Sequence, residues 1–201
     1  PQLQAYERLH TDYSRTDTVL MALAPANGQV FDADFLGVLK ALTEAAWQIP
    51  YSQRVESLTN FQHVQVDGDS INTADLVDDP AGLTPEALQR LQRIATQEPF
   101  LVNALVNAQG SVAGVRITLN LPGVDPKQEI PDVVMPLRAL AAELMQAHPQ
   151  IQVHLVGQTV ANQAYPEASQ ADFVRVWPWF TLTLLVVLAW LFRSVKAMLA
   201  T

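Results

Sequence analysis

The strongest constraint on this chain lies near its end. From Val176 to Phe192 it reads VWPWFTLTLLVVLAWLF, with no charged side chain. The polar groups in the run are the threonine hydroxyls and the indole N–H groups. A spanning helix needs about 20 predominantly apolar residues, with a working range of roughly 17–25. The flanks agree with that reading. Trp177 and Trp179 stand at one boundary, where amphipathic rings favour the headgroup layer, and Arg193 and Lys196 stand at the other as cationic stops. The competing explanation is a buried core helix, which rarely lacks a polar face over so long a run. Because basic residues follow the span and the acidic bulk precedes it, the positive-inside rule places Thr201 on the cytoplasmic side and the residues before Asp172 outside. Only the flanking residues bear on this, since large domains translocate largely regardless of charge.

Without the span and its tail, about 170 residues remain, enough for one medium domain or one domain with a large insertion. Twelve Lys and Arg against twenty Asp and Glu give a net charge of −8, which argues against a nucleic-acid partner. The absence of cysteine excludes disulfides, thiol catalysis and cysteine-based zinc sites, and is compatible with a bacterial periplasmic domain. The chain opens Pro1-Gln2-Leu3-Gln4 with no apolar run ahead of the domain. A domain exported only by a carboxy-terminal anchor is uncommon in bacteria, so the expectation is a piece of a longer protein in which an earlier span precedes. The expected organisation is a linker or helix leaving that span over 1–16 and an extracytoplasmic domain over 17–157, with an insertion at about 60–110. A connector over 158–175, the span over 176–192 and the start of a cytoplasmic segment over 193–201 complete it.

Periodicity supplies the elements. Leu3, Tyr6 and Leu9 are spaced for a short helix, and Asp17–Ala24 reads as a buried strand closed by Pro25-Ala26-Asn27-Gly28. Asp32 is an N-cap for a helix whose Phe35, Val38, Leu39, Leu42 and Ala46 share a face, and Pro50 stops it. Val55–Thr59 reads as a second strand. The section from Asn60 to Gly110 begins polar and turn-rich, and then offers Thr84-Pro85 as a helix start. Phe100–Val106 is ambiguous between helix and strand. Val115, Ile117, Leu119 and Leu121 alternate with polar residues in the cleanest strand of the chain. Ile130, Val133, Val134, Leu137, Leu140, Ala141, Leu144 and Met145 mark an amphipathic helix, with Pro136 as a kink or as the real start. Ile151, Val153 and Leu155 form a last strand ending at Gly157. Strand, helix, strand, insertion, strand, helix, strand is the order of an α+β, split βαβ ferredoxin-like domain, with both helices on one face of a four-stranded sheet and a helical insertion between the halves.

Three places carry a family resemblance. The first is Val30-Phe31-Asp32, Leu39-Lys40-Ala41-Leu42-Thr43, Ile49-Pro50 and Val55-Glu56-Ser57-Leu58-Thr59-Asn60; the second is Glu98-Pro99 with Leu105-Val106-Asn107-Ala108-Gln109-Gly110; the third is Gly157, Glu167, Asp172, Pro178 and Phe192-Arg193-Ser194. In order and spacing they resemble the first extracytoplasmic domain and second membrane helix of the resistance–nodulation–division (RND) superfamily, on the branch of hydrophobe and lipid exporters similar to the mycobacterial large membrane proteins (MMPL) and hopanoid transporters. Gly157-Gln158-Thr159 stands where that family usually has Gly-x-Pro. The resemblance implies an exporter in the bacterial inner membrane, driven by the proton gradient, with duplicated halves and a periplasmic porter domain. It implies as partners a membrane lipid or hydrophobic small molecule, the remaining spans and second porter domain of the same protein, and a homo-oligomer. The proton-relay carboxylates of such transporters lie in other spans, and Phe180–Phe192 contains no ionisable group.

The residues offer little to an enzyme. His10, His63, His148 and His154 are scattered, with no helical pair at metal-ligand spacing, so no metal and no cofactor is expected. Asp67-Gly68-Asp69-Ser70-Ile71-Asn72 lacks the later ligands of an EF-hand and reads as a solvated acidic turn. Ser57, Ser70 and Ser111 lack a nucleophile-elbow context. Phe61, Phe100, Leu101 and Leu105 are candidates for a hydrophobic substrate path, with core packing as the commoner role for such residues. Glu167, Asp172 and Arg175 form a polar rim next to the span, with Asp172 and Arg175 spaced to pair on a helix. A membrane-anchored sensing or assembly domain without transport is the alternative of a different class.

Overall fold

A computed structural model of the chain describes residues 16–67 and 70–192. The elements are β1 (Thr16–Pro25), α1 (Ala33–Ala46), β2 (Ser52–Glu56), β3 (Gln62–Asp67), β4 (Ser70–Asp75), α2 (Pro85–Gln97), β5 (Ala113–Asn120), α3 (Pro126–Ala147), β6 (Ile151–Gly157) and α4 (Gln158–Phe192), with a 3-10 turn at Pro80–Gly82. The described residues fall into two compact units that divide between Ala161 and Asn162. Residues 1–15 and 193–201, which include the expected amino-terminal helix and the basic stop, lie outside the described residues.

The first unit is built on a four-stranded sheet in the order β2-β5-β1-β6, with every neighbouring pair antiparallel. Alternation decides what each face does. Val19, Met21 and Leu23 of β1 and Val115, Ile117 and Leu119 of β5 are buried, in one cluster with Phe35, Leu36 and Leu39 of α1 and Val133, Leu137 and Ala141 of α3. The intervening residues Leu20, Arg116, Thr118 and His154 point to the opposite face and stay partly or fully exposed. Asp32 caps α1 by accepting from the Phe35 N–H at 3.2 Å, and Thr84 caps α2 by accepting from the Ala87 N–H at 3.3 Å.

Four stretches differ from the sequence reading. The second strand is Ser52–Glu56, not Val55–Thr59. Ser57–Asn60 leaves the ladder because its side chains satisfy the backbone locally: Asn60 Oδ1 accepts from the Ser57 N–H at 2.8 Å, and Asn60 Nδ2 donates to the Val55 carbonyl at 2.7 Å. The Ser57 hydroxyl also meets those of Thr43 and Thr59, so this buried polar cluster is closed on itself. The turn-rich start of the 60–110 section holds a hairpin, β3–β4, around a turn whose Gly68 and Asp69 lie outside the described residues. Phe100–Val106 is neither helix nor strand but a hydrogen-bonded turn with an isolated bridge to Ala113.

The fourth difference is α3, which begins at Pro126 rather than Ile130 or Pro136 and runs through Pro131 and Pro136. Asp125 is its N-cap, accepting from the Lys127 N–H at 3.1 Å, and Pro126 occupies the first turn, where a missing N–H costs nothing. Glu129 fixes this end. Its buried carboxylate accepts the N–H groups of Asp125 (2.9 Å), Gly123 (2.8 Å) and Val124 (2.8 Å). These bonds, that from Asp125 first, hold its pKa below the ordinary glutamate value against the opposing effect of burial.

Two predictions follow from these contacts. A carboxylate whose pKa is depressed on folding adds stability above its unfolded pKa of about 4.3, and that stability is lost as pH falls through the lower folded value. The thermal stability of the domain should therefore fall with acidification in that window, and the fall should be smaller in Glu129→Gln, which is less stable at neutral pH. At Gly157 a Cβ would stand 2.5 Å from the Thr18 carbonyl oxygen of the neighbouring strand. Gly157→Ala should destabilise by about 1–3 kcal/mol in denaturant titration, because backbone, not a movable side chain, must give way.

Candidate binding cleft and apolar helix

Antiparallel pairing sets Glu56 of β2 opposite Arg116 of β5, on the sheet face turned away from α1 and α3. Arg116 donates from Nε and a terminal nitrogen to one Glu56 oxygen, at 2.9 and 2.8 Å, and Arg54 donates to the other oxygen at 2.8 Å. Two guanidiniums thus share one carboxylate. The side chains are 69% exposed for Arg54, 35% for Arg116 and 22% for Glu56, so Arg116 and Glu56 form the fixed part and Arg54 the outer arm.

This triad forms one wall of an open cleft of about 750 Å³. Beside polar Ser57, Asn60 and Gln62, it is lined by apolar residues: Trp47 at the end of α1, Phe61 before β3, and Pro99, Phe100 and Leu105 from the turn after α2. The turn is held rigidly by its own backbone. Leu101 N–H bonds to Glu98 O at 3.0 Å, Leu105 N–H to Leu101 O at 2.8 Å, and Gly114 N–H of β5 to Leu105 O at 2.7 Å. Phe100 is consequently presented to solvent at 76% exposure while Leu105 is buried.

Of the residues expected to line a substrate path, Phe61, Phe100 and Leu105 therefore meet in one cleft. Leu101 does not: it is fully buried in the core. Sequence reasoning missed the charged wall. Arg54 and Glu56, two apart on a strand, and Arg116, read only as a wet-face residue, were the available signals. A larger groove of about 1160 Å³ runs along α1. Three of its polar side chains serve the fold: Asp32 caps α1, Asp79 accepts from the Ala81 N–H, and Lys40 donates to the Asp78 carbonyl. Among the described residues no His, Asp and Glu side chains converge in a group able to hold a metal. Ser57 and Ser111 are hydrogen-bonded to Thr, Asn and backbone groups rather than to an imidazole.

The second unit is the remainder of α4. The helix runs without interruption past Pro166 and Pro178. It is the one described helix long and apolar enough to cross a membrane, and none of its span is buried in the protein. Apolar side chains look outward all round it, among them Val176, Trp179, Val186, Val187 and Trp190. Its hydroxyls are satisfied internally: Thr181 donates to Trp177 O at 3.0 Å and Thr183 to Trp179 O at 2.8 Å, as an apolar solvent requires. Phe173 stacks on Trp177 at 4.9 Å, forming an aromatic belt at one end. Glu167 accepts from Gln163 at 2.7 Å. Asp172 and Arg175 are both exposed, and the structure shows no ion pair between them.

Fold and site together define an α+β domain with an amphipathic cleft, continuous in sequence with a helix long and apolar enough to span a membrane. Neither a protein-family model nor a curated protein matches the chain.

The shared carboxylate makes a prediction about stability. Glu56→Ala leaves two guanidiniums facing each other and should cost about 1–2 kcal/mol. Arg54→Ala should cost no more than about 0.5 kcal/mol, because that arm is exposed and screened. Equal losses in urea titration of the two variants would contradict this division of roles.

Proposed function

We propose that the chain is part of a proton-driven RND-type exporter of hydrophobic or lipid-like compounds. The first unit would be its periplasmic porter domain, and α4 a helix of the bacterial inner membrane. On this reading the domain is a split βαβ, ferredoxin-like sandwich, which the strand order β2-β5-β1-β6 and the placement of α1 and α3 on one sheet face support. The section between β2 and β5, with its hairpin and α2, is the insertion. The cleft lies at this insertion and forms part of a path that takes an apolar or amphipathic substrate from the outer leaflet. The protein is not an enzyme on this reading; a second porter domain, the other spans and further copies of the protein complete the transporter, and proton transfer occurs in spans other than α4.

One observation carries the reading. The Thr16 end of β1 and the Gly157 end of β6 lie side by side, with Val19 opposite Gly157, and Thr159 at the start of α4 donates to the Asp17 carboxylate. A domain whose two ends leave from one edge, one of them directly into an apolar helix, suits insertion between two membrane helices. A membrane-anchored sensing or assembly domain is the second reading, favoured by the lack of any ionisable group from Val176 to Leu191.

Reconstitution of the whole protein in proteoliposomes separates the two. An imposed proton gradient should drive movement of a fluorescent hydrophobic probe across the bilayer, and a protonophore should abolish it. Probe movement indifferent to the gradient, or none, would contradict the transport reading and favour a sensor.

A further inference from the structure

We propose that the cleft bounded by β2, β5 and the Pro99–Leu105 turn takes a single-chain amphiphile with an anionic headgroup. The head would sit on Arg54 and Arg116, and the chain against Phe61, Phe100 and Leu105.

Charge is the first argument. The chain carries −8 overall, so anions are repelled in general, yet here two guanidiniums face one carboxylate and the local balance is +1. Donor accounting is the second. A guanidinium has five N–H donors. Arg116 uses its Nε and one terminal nitrogen on Glu56, and Arg54 uses one nitrogen, which leaves further donors on both without an acceptor among the described residues. Glu56 thus holds the two forks in place without satisfying them, and forks of this kind match the oxygens of carboxylate and phosphate. The third argument is the opposite wall. Phe100 is 76% exposed on a turn whose backbone is held by its own hydrogen bonds, so an apolar chain in the cleft would remove its ring from water. A volume of about 750 Å³ lies in the range of a small-ligand site, which fits one chain and one head. A cationic amphiphile meets the wrong sign, and a neutral one leaves the arginine donors unused.

The inference deepens the transport reading by naming a substrate class. Its test measures binding alone, so a failure here leaves transport to its own assay. The chain has no cysteine. Gln62→Cys, on the rim of the cleft, can therefore carry an environment-sensitive fluorophore as a unique label in the full chain held in phosphatidylcholine nanodiscs. Decyl phosphate should give a saturable blue shift. Arg54→Gln with Arg116→Gln should weaken it about tenfold or more, and Phe100→Ala severalfold. Inorganic phosphate alone should give no shift at the same concentrations. Decyl glucoside or decyltrimethylammonium shifting the label as strongly as decyl phosphate would overturn the proposal, as would an equal response to inorganic phosphate. That ligand series needs no arginine variant. If the double variant unfolds, Arg54→Gln alone, on a largely exposed side chain, must still weaken decyl phosphate binding; unchanged affinity there would also overturn it.

Discussion

The first unit depends on β1 being hydrogen-bonded along both edges, to β5 on one side and β6 on the other. That double pairing joins the first described strand to the last strand of the unit. It sets Val19, Met21 and Leu23 under the helices and leaves the Leu20 face open. It also brings the Thr16 and Gly157 ends together, where Gly157 permits an approach to the Thr18 carbonyl that any side chain would block. The beginning of α4 is tied to the same place through Thr159 and Asp17.

The polar groups of the domain divide into two kinds. Glu129 gathers three backbone N–H groups, Asn60 closes the Ser57 turn, and Asn107 accepts from the N–H groups of Ser111 and Val112. In each case a side chain answers nearby backbone groups that the strands and helices leave unpaired. The Arg54–Glu56–Arg116 triad differs because its donors outnumber its acceptors and it opens on aromatic surface. Excess of one sign beside exposed rings separates a recognition surface from a structural network.

Much of the fold was legible because periodicity and capping agree. The alternation of Val115, Ile117 and Leu119, the Asp32 cap with its apolar face, and the uncharged run from Val176 each reflect a single environment along a whole element. The misreadings fall where local side-chain chemistry overrides the pattern. Ser57–Asn60 looks like strand continuation until Asn60 is seen to bond the backbone. The start of α3 was hidden because the apolar periodicity begins only at Ile130 and Pro136 suggested a later start, while Asp125-Pro126 with Glu129 was the true signal. The β3–β4 hairpin was obscured by its polar composition, although Gly68-Asp69 between Asp67 and Ser70 is a two-residue hairpin signal in the sequence. Of the cleft, Phe61, Phe100 and Leu105 were readable as candidates for a hydrophobic path, with core packing as the commoner role of such residues. The charged half was not, because Glu56 and Arg116 are 60 residues apart and meet only through strand pairing.

The central claim is that α4 lies in a bilayer with the domain on the extracytoplasmic side. Single-cysteine accessibility in intact cells tests it most directly, since the chain supplies no competing thiol. With Gln89→Cys on the exposed face of α2, a membrane-impermeant maleimide should label the protein in intact cells, whereas Ala200→Cys should label only after lysis. Labelling of Ala200→Cys but not Gln89→Cys in intact cells would reverse the orientation, and recovery of the protein in the soluble fraction would contradict the claim outright.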